Sequence, residues 1–403
     1  MSIPSAILAL DERVTGGRLT TWTGRTGHFI MYGRHPTVLI FFILLLAGGE
    51  ALFLPGAWPR IAGVHRTLGS VAIVLPYVFL WLSARTDPGV VTPASHARCM
   101  AHYPYDFALF RPGQTCRTCG LVKPARSKHC SVCGRCVHRM DHHCVFINNC
   151  VGYGNHRYFL LLLLTTAILT SYGASLGLTL VADAARRLRP RAGFALWKPA
   201  RLRWTEWLVL FTVGVQEDVG IGSVTLLSLM TSPLVWGLLA YQMYLVYCGT
   251  TTNESMKWQD WRAEMDDGCA FKRRLPPPAE RPRDPRVEVD WTRWPVDAVQ
   301  VLVRTDDGRP PAVTSGPGVG DWERVWKLRD VENLYDIGFL DNLIDVFVPD
   351  YPFRDGGDKP PASPSSSSSA VAGAAAADLE RGRKGKPRKP KVSAAASLVN
   401  AAT

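Results

Sequence analysis

Long apolar runs alternate with polar blocks along this chain, and the runs set its architecture. Four stretches reach the roughly 18–20 largely apolar residues that a helix needs to cross a bilayer. They are Thr37–Leu54, Thr67–Ala84, Tyr158–Ala182 and Val219–Tyr247. The last three hold no charged residue; the first holds Glu50 near its far end, where a carboxylate is expected to reach the interface. The pattern predicts a polytopic α-helical membrane protein with four transmembrane helices and a polar, cysteine-rich segment between helices 2 and 3.

After the fourth run the sequence turns polar. Arg274–Pro311 is rich in proline and charge and reads as a loop or linker. Asp321–Val348 recovers Trp322, Trp326, Leu334, Tyr335, Phe339, Leu340, Leu343 and Phe347, so it is expected to fold against a neighbour. From Asp355 onward Gly, Pro, Ser and Ala dominate, and a disordered tail is expected. Its basic run Arg381–Lys391 reads as solvated.

Charge then assigns the sides. Met1–Tyr32 contains Asp11, Glu12 and scattered arginines rather than a basic start and an apolar run, so no cleavable signal peptide is expected. An even number of spans puts both termini on the side of Arg85–Arg157. That segment carries ten Lys and Arg, against Arg60 and Arg66 in the loop between the first two spans, which predicts a cytosolic location. Asp183–Asp218 runs against the rule with seven basic residues; the chemistry of thiols, which stay reduced in the cytosol, decides for the same assignment.

The expected organisation follows: 1–36 a cytosolic N-terminal segment, 37–84 helices 1 and 2, 85–157 a cytosolic Cys-rich zinc domain, 158–182 helix 3, 183–218 a lumenal loop, 219–247 helix 4, 248–354 a cytosolic C-terminal region and 355–403 the basic tail. The net charge of +12 sits in membrane-adjacent loops and the tail, with no nucleic-acid-binding module. It points to anionic lipid or a phosphorylated cofactor, not to nucleic acid.

Seven cysteines lie within the 35 residues from Cys116 to Cys150. The order is Cys116-x2-Cys119, nine residues, His129-Cys130-x2-Cys133-x2-Cys136, four residues, Asp141-His142-His143-Cys144, five residues, Cys150. A structural zinc takes four Cys or His ligands in a closed tetrahedron, so two sites need eight. Two CxxC pairs, Cys136, Cys150 and two histidines supply two Cys3His sets. Cys144 and one histidine of the His142-His143 pair are then left over, although Cys144 could stand in for Cys150. A free cysteine beside an Asp-His pair suits nucleophilic chemistry. Two other classes fit part of the pattern: a non-enzymatic zinc-containing membrane scaffold, and a membrane ubiquitin ligase, which would need a later CxxC pair that is missing.

Beyond its ligands, this run has Lys123-Pro124-Ala125-Arg126-Ser127-Lys128-His129-Cys130-Ser131 and Asn148-Asn149-Cys150-Val151-Gly152, then Asn155 and Phe159. Asp87-Pro88-Gly89 follows the second span, Thr251-Thr252-Asn253-Glu254 the fourth, and Asn333-x-Tyr335-Asp336-x-Gly338-x3-Asn342 comes later. In this order the motifs resemble those of the DHHC protein S-acyltransferases, across roughly residues 37–347. Phe146 stands where that family usually has tryptophan. Tyr103-Pro104-Tyr105-Asp106 together with Lys123–Ser131 is similar to the fungal branch that acylates SNARE-type membrane proteins near their spans.

The resemblance implies specific roles. One zinc falls to Cys116, Cys119, His129 and Cys136, the other to Cys130, Cys133, His143 and Cys150, both structural. Cys144 becomes the nucleophile that carries the S-palmitoyl intermediate, His142 its base and Asp141 the residue that orients His142. The acyl donor is a long-chain acyl-CoA such as palmitoyl-CoA, with Lys123, Arg126 and Lys128 as cations for its phosphates and Arg135 and Arg139 as further ones. Thr252, Glu254 and Asn342 support the active-site segment. The spans enclose the acyl chain, and the residues at the end of that cavity set its length. The acceptors are membrane proteins with juxtamembrane cysteines, SNARE-like ones among them, and the organelle is the endoplasmic reticulum, with the Golgi as alternative.

Overall fold

The structure is a computed structural model that describes residues 33–196, 202–281 and 283–354, with isolated positions 15, 18, 21 and 27. The expected tail 355–403 and most of the expected N-terminal segment lie outside the described residues. The helices, in chain order, are α1 (Thr37–Ala57), α2 (Gly63–Arg85), α3 (His96–Met100), α4 (His156–Leu188), α5 (Trp204–Glu217), α6 (Val219–Tyr247), α7 (Thr252–Asp266) and α8 (Phe339–Phe347).

Among the described residues α1, α2, α4 and α6 are the helices long and apolar enough to cross a membrane, and the chain is a multi-pass integral membrane protein. In lipid no water can satisfy the backbone, so each span closes its own hydrogen bonds as a helix. The outer faces keep large apolar side chains exposed, such as Phe41, Leu44 and Leu52 on α1, where the bilayer covers them. Helix α4 lies at the centre, against α2, α5 and α6. It meets α6 closely at Gly177, where a Cβ would come within 2.0 Å of the Thr225 hydroxyl.

Two sequence expectations change here. Residues 183–218 do not form a plain loop: α4 continues to Leu188, and α5 folds back on it through buried Leu210 and Gly214. Arg274–Pro311 is likewise no bare linker. It holds a strand, and Trp294 within it is fully buried and donates from Nε1 to the Leu334 carbonyl at 2.9 Å. Proline and charge dominate the composition there and conceal the short apolar stretch Val301–Val303 that fills the core.

Outside the spans the chain is built from small antiparallel units. Strands β1 (Lys128–Cys130) and β2 (Arg135–Val137) form one hairpin, β3 (His142–Cys144) and β4 (Asn149–Val151) a second. Strands β5 (Ala270–Arg274), β6 (Gln300–Arg304) and β7 (Val319–Arg324) form a sheet of order β6-β5-β7. Aromatic side chains join the units: Tyr103, Phe110, Trp294 and Tyr335 share one buried cluster.

The second hairpin is tied to the spans. Asn149 Nδ2 lies 3.1–3.3 Å from the carbonyls of Ser83, Ala84 and Thr86 at the end of α2. Asn155 Nδ2 donates to Ser83 and Cys150. Gly154 lets the chain approach the Asp87-Pro88-Gly89 turn, since a Cβ there would lie 2.1 Å from the Asp87 carbonyl.

Candidate active site and metal clusters

Strand register sorts the residues of the ribbon. In β1–β2 His129 faces Cys136, and in β3–β4 His143 faces Cys150, so each hairpin brings a histidine and a cysteine together. Two groups of ligand atoms result, each within 4.8 Å: Cys116, Cys119, His129 and Cys136, and Cys130, Cys133, His143 and Cys150.

In the first group His129 Nδ1 lies 3.4, 3.4 and 3.8 Å from the sulfurs of Cys116, Cys119 and Cys136. In the second, His143 Nδ1 lies 3.7, 3.4 and 3.6 Å from those of Cys130, Cys133 and Cys150. A tetrahedral zinc with bonds of about 2.3 Å to sulfur and 2.05 Å to nitrogen separates the two atoms by about 3.5 Å. The donor set and its spacing fit structural zinc in both places. The Cys119 and Cys133 N–H groups point at the sulfurs of Cys116 and Cys130, at 3.4 and 3.3 Å, as suits thiolate ligands.

Alternation along β3 separates the roles. Successive side chains of a strand point to opposite faces, so His143 turns to the cluster while His142 and Cys144 share the other face. Cys144 belongs to neither ligand group and is buried among Leu80, Ile147, Phe159 and Leu162, against the ends of the spans. His142 Nδ1 lies 2.6 Å from Asp141 Oδ2, and its ring stands edge-on to Phe159 at 5.3 Å.

Asp141 is held from the other side as well. Thr252 donates its N–H to Oδ1 at 2.7 Å and its hydroxyl to Oδ2 at 2.8 Å. Burial alone pushes the Asp141 carboxyl up, but the bond from His142, nearby His156 and the Thr252 N–H hold it well below the usual carboxylate range. Burial likewise works against an imidazolium at His142, yet bonding to Asp141 and to Cys144 raises its pKa to about 10. Both shifts favour the charged forms of the pair, a carboxylate beside an imidazolium.

The supporting residues divide. Thr252 touches Asp141 directly. Glu254 does not reach 141–144: it caps α7 through the Thr251 N–H at 2.9 Å and binds Arg126. Asn342 also stays away from that segment. It donates to the Tyr247 carbonyl at 3.2 Å and to Asp336 at 2.8 Å, and so fastens the C-terminal motif to the end of α6.

The expected phosphate cations divide too. Lys123 and Lys128 line a cleft of about 470 Å³ together with Arg111, Asn253 and Lys257. Arg126 does not: it is 1% exposed, forked onto Glu254 and stacked over Tyr335, so no phosphate can reach it. Arg139 is sealed in the same way, its Nε 3.2 Å from buried Asp345. Sequence reasoning passed over Lys257 and Asn253 because a charged helix face and the variable letter of a motif carry no signal by themselves. The buried Asn253 Nδ2 has no hydrogen-bond partner among the described residues.

Within the membrane the spans enclose a cavity of about 360 Å³. Phe146, two residues beyond Cys144, lines one end; Glu50, His65 and Tyr172 line its deeper part. His65 Nδ1 and the Tyr172 hydroxyl lie 2.8 Å apart. Glu50 does not turn to the interface as expected but accepts a hydrogen bond from Tyr77 on α2 at 2.9 Å.

A four-span membrane protein that holds a thiol beside an Asp–His pair, on a ribbon fit for two zinc ions, has the parts of a membrane-bound acyltransferase. Comparison with known proteins narrows the class. The family model described as DHHC palmitoyltransferase matches residues 110–259. The palmitoyltransferase SWF1 of Neurospora crassa is 55% identical over 367 residues, covering 89% of this chain and 86% of that protein. The palmitoyltransferase swf1 of Emericella nidulans is 41% identical, with 86% and 87% covered. The mouse palmitoyltransferase ZDHHC4 is 34% identical over 58% of this chain and 69% of its own. The chain belongs to the DHHC palmitoyltransferase family and is a protein S-palmitoyltransferase, an enzyme and not a zinc scaffold or ubiquitin ligase.

Proposed function

We propose that Cys144 is the nucleophile of a two-step thioester exchange between a long-chain acyl-CoA and a cysteine of a membrane protein. The observation that carries this reading is the fixed line Thr252–Asp141–His142 ending beside a thiol outside both ligand groups. A free thiol with a pKa of about 8.5 is only a few per cent thiolate at neutral pH, so a base is needed. His142 takes the Cys144 proton, and the thiolate attacks the acyl carbonyl. The bond to the CoA sulfur breaks, and His142 returns the proton to the leaving thiolate. In the second step the acceptor cysteine loses its proton to His142, takes the acyl group and leaves Cys144 as the thiol. Asp141 holds the imidazole in register throughout.

The two Cys3His sets would hold zinc, which would stiffen the ribbon. The chain's own residues do the rest. Lys123 and Lys128, with Lys257 and Arg111, meet the CoA phosphates in the polar cleft. The acyl chain enters the cavity past Phe146. Thirteen residues of α4 separate Phe159 from Tyr172, about 20 Å at the helical rise. An extended sixteen-carbon chain spans about 19 Å with ordinary bond geometry. The His65–Tyr172 pair is therefore read as the end wall for a palmitoyl chain. Since lipid solvates the chain about as well as the cavity does, the walls supply shape more than affinity.

The excess of basic residues in Arg85–Arg157 supports a cytosolic site. Resemblance to the fungal branch supports SNARE-type acceptors and the endoplasmic reticulum.

The test is Cys144→Ser in detergent-solubilised enzyme. Zinc content stays near that of the wild type, and hydroxylamine-sensitive label from palmitoyl-CoA disappears; label that persists refutes the nucleophile.

A further inference from the structure

Arg126 sits where two supports of the active site meet. Its backbone carbonyl accepts from the Met140 N–H at 3.2 Å, one residue before Asp141. Its guanidinium donates from Nε and one terminal nitrogen to the two oxygens of Glu254, both at 2.7 Å, and also to the Gly249 carbonyl at 2.9 Å. Glu254 in turn fixes the first turn of α7 by accepting from the Thr251 N–H, and the next residue, Thr252, grips Asp141. A closed circuit runs Asp141, Thr252, Glu254, Arg126, Met140 and back to Asp141.

Three features make the circuit rigid. Arg126 holds φ of +61°, a left-handed conformation that costs a side-chain-bearing residue energy. Its guanidinium is flanked by Tyr335 and Tyr103, 4.5 and 5.1 Å from the ring centres. Both Arg126 and Glu254 are about 1% exposed, so water cannot replace either partner. A buried ion pair is weak evidence of stability, since desolvation offsets much of the attraction. What it does supply is direction: a planar fork on a carboxylate fixes distance and angle together, which a lysine cannot do.

We infer that Arg126 is a positioning residue for acyl transfer, setting through Glu254 and Met140 the separation across which Thr252 holds Asp141. The inference rests on the reading of Asp141 as the residue that orients His142. It replaces the role in phosphate binding that the sequence suggested for Arg126.

The test compares full-length R126K, T252V and the double variant with wild type in detergent micelles. The measured quantities are kcat and KM for Cys144 acylation by palmitoyl-CoA, and zinc per chain. R126K keeps the charge and loses the fork. It is expected to lower kcat by about 10- to 100-fold, as small misplacements in an active site do, with KM and zinc unchanged. R126K/T252V should be no slower than T252V alone, because both act on one contact. A rise in KM at unchanged kcat would make Arg126 a CoA contact and overturn the inference; so would losses that multiply in the double variant. Should R126K lose zinc, E254Q, nearly isosteric, takes its place in the same cycle. A slow T252V beside a normal R126K overturns the inference alone, whereas a normal T252V overturns the reading of Asp141 and the inference with it.

Discussion

The zinc ribbon and the helix bundle meet at Cys144 and are built from opposite kinds of contact. In the ribbon the metal-ligand sets and the Asp–His pair have directional partners: His129 and His143 face sulfurs across their hairpins, and Asp141 is held by three hydrogen bonds at 2.6–2.8 Å. In the bundle the contacts are mostly apolar. Apart from a few polar side chains such as the His65–Tyr172 pair, the cavity between the spans is lined with apolar groups that have no preferred direction. Directional contacts break all at once, because removing one partner leaves the other unsatisfied. Apolar contacts yield in proportion to the area removed. The ribbon should therefore decide whether acyl transfer occurs, and the bundle which acyl chain is transferred.

Loss of a ligand should give the largest effect. Cys133→Ser removes one sulfur from the group that holds His143, the neighbour of His142 on β3. About one zinc per chain should be lost, and β3–β4 should lose its fold, since ligand binding and folding are coupled in such modules. Metal analysis and acyl labelling on one sample check both; full activity at reduced zinc would break the comparison. The next effect is smaller because the frame survives. His142→Ala should retain both zinc ions and slow Cys144 acylation by about 10²- to 10⁴-fold, the usual worth of a positioned base. A loss of metal from this variant equal to that from Cys133→Ser would mean that the ligand division between His142 and His143 is wrong.

Legibility in the sequence follows the same division. The ribbon could be read because its ligands are polar residues at fixed spacing, and two-residue alternation along His142-His143-Cys144 does the rest. The spans could be read from length and composition, and the helices run a few residues past the apolar stretches at most of their ends. What could not be read is pairing between distant segments. Arg126 looked like a cation for phosphate because its partner Glu254 lies 128 residues away and burial leaves no mark on a basic motif. Glu50 looked like an interfacial acid because nothing in α1 announces Tyr77 on α2. Trp294 sits among prolines and charges, and only the packing of Tyr103, Tyr335 and Phe353 around it reveals a core.

The bundle can be probed at its deep end. Tyr172→Ala removes the ring and the hydrogen bond to His65, lengthening the space past the end wall. Preference should move from sixteen- to eighteen-carbon donors because the longer chain no longer meets a wall. About fourfold for each methylene, the ~0.8 kcal/mol of transfer from water, is the upper limit, since lipid or detergent solvates the chain as well. Competition between acyl-CoAs of different length, read by mass spectrometry of the acyl-enzyme, measures the ratio. The rate with the preferred donor should stay close to that of the wild type. An unchanged ratio would place the end of the chain elsewhere in the cavity.

Phe146 is the residue on which the division itself can be tested, since it belongs to both regions. It follows Cys144 by two positions, is half exposed, stands edge-on to Phe42 of α1 at 5.9 Å and lines the mouth of the cavity. If its work is to admit the acyl chain, Phe146→Ala should raise KM for palmitoyl-CoA by about 2- to 10-fold, the worth of one aromatic contact of about 0.5–1.5 kcal/mol. Zinc content and kcat should hold, and Phe146→Trp, which keeps an aromatic ring at the mouth, should change either constant by less than about twofold. A fall in kcat at constant KM would instead tie the turn after β3 to the chemistry. The boundary between the two regions would then lie beyond Phe146, at α1, and the mouth of the cavity would be part of the ribbon.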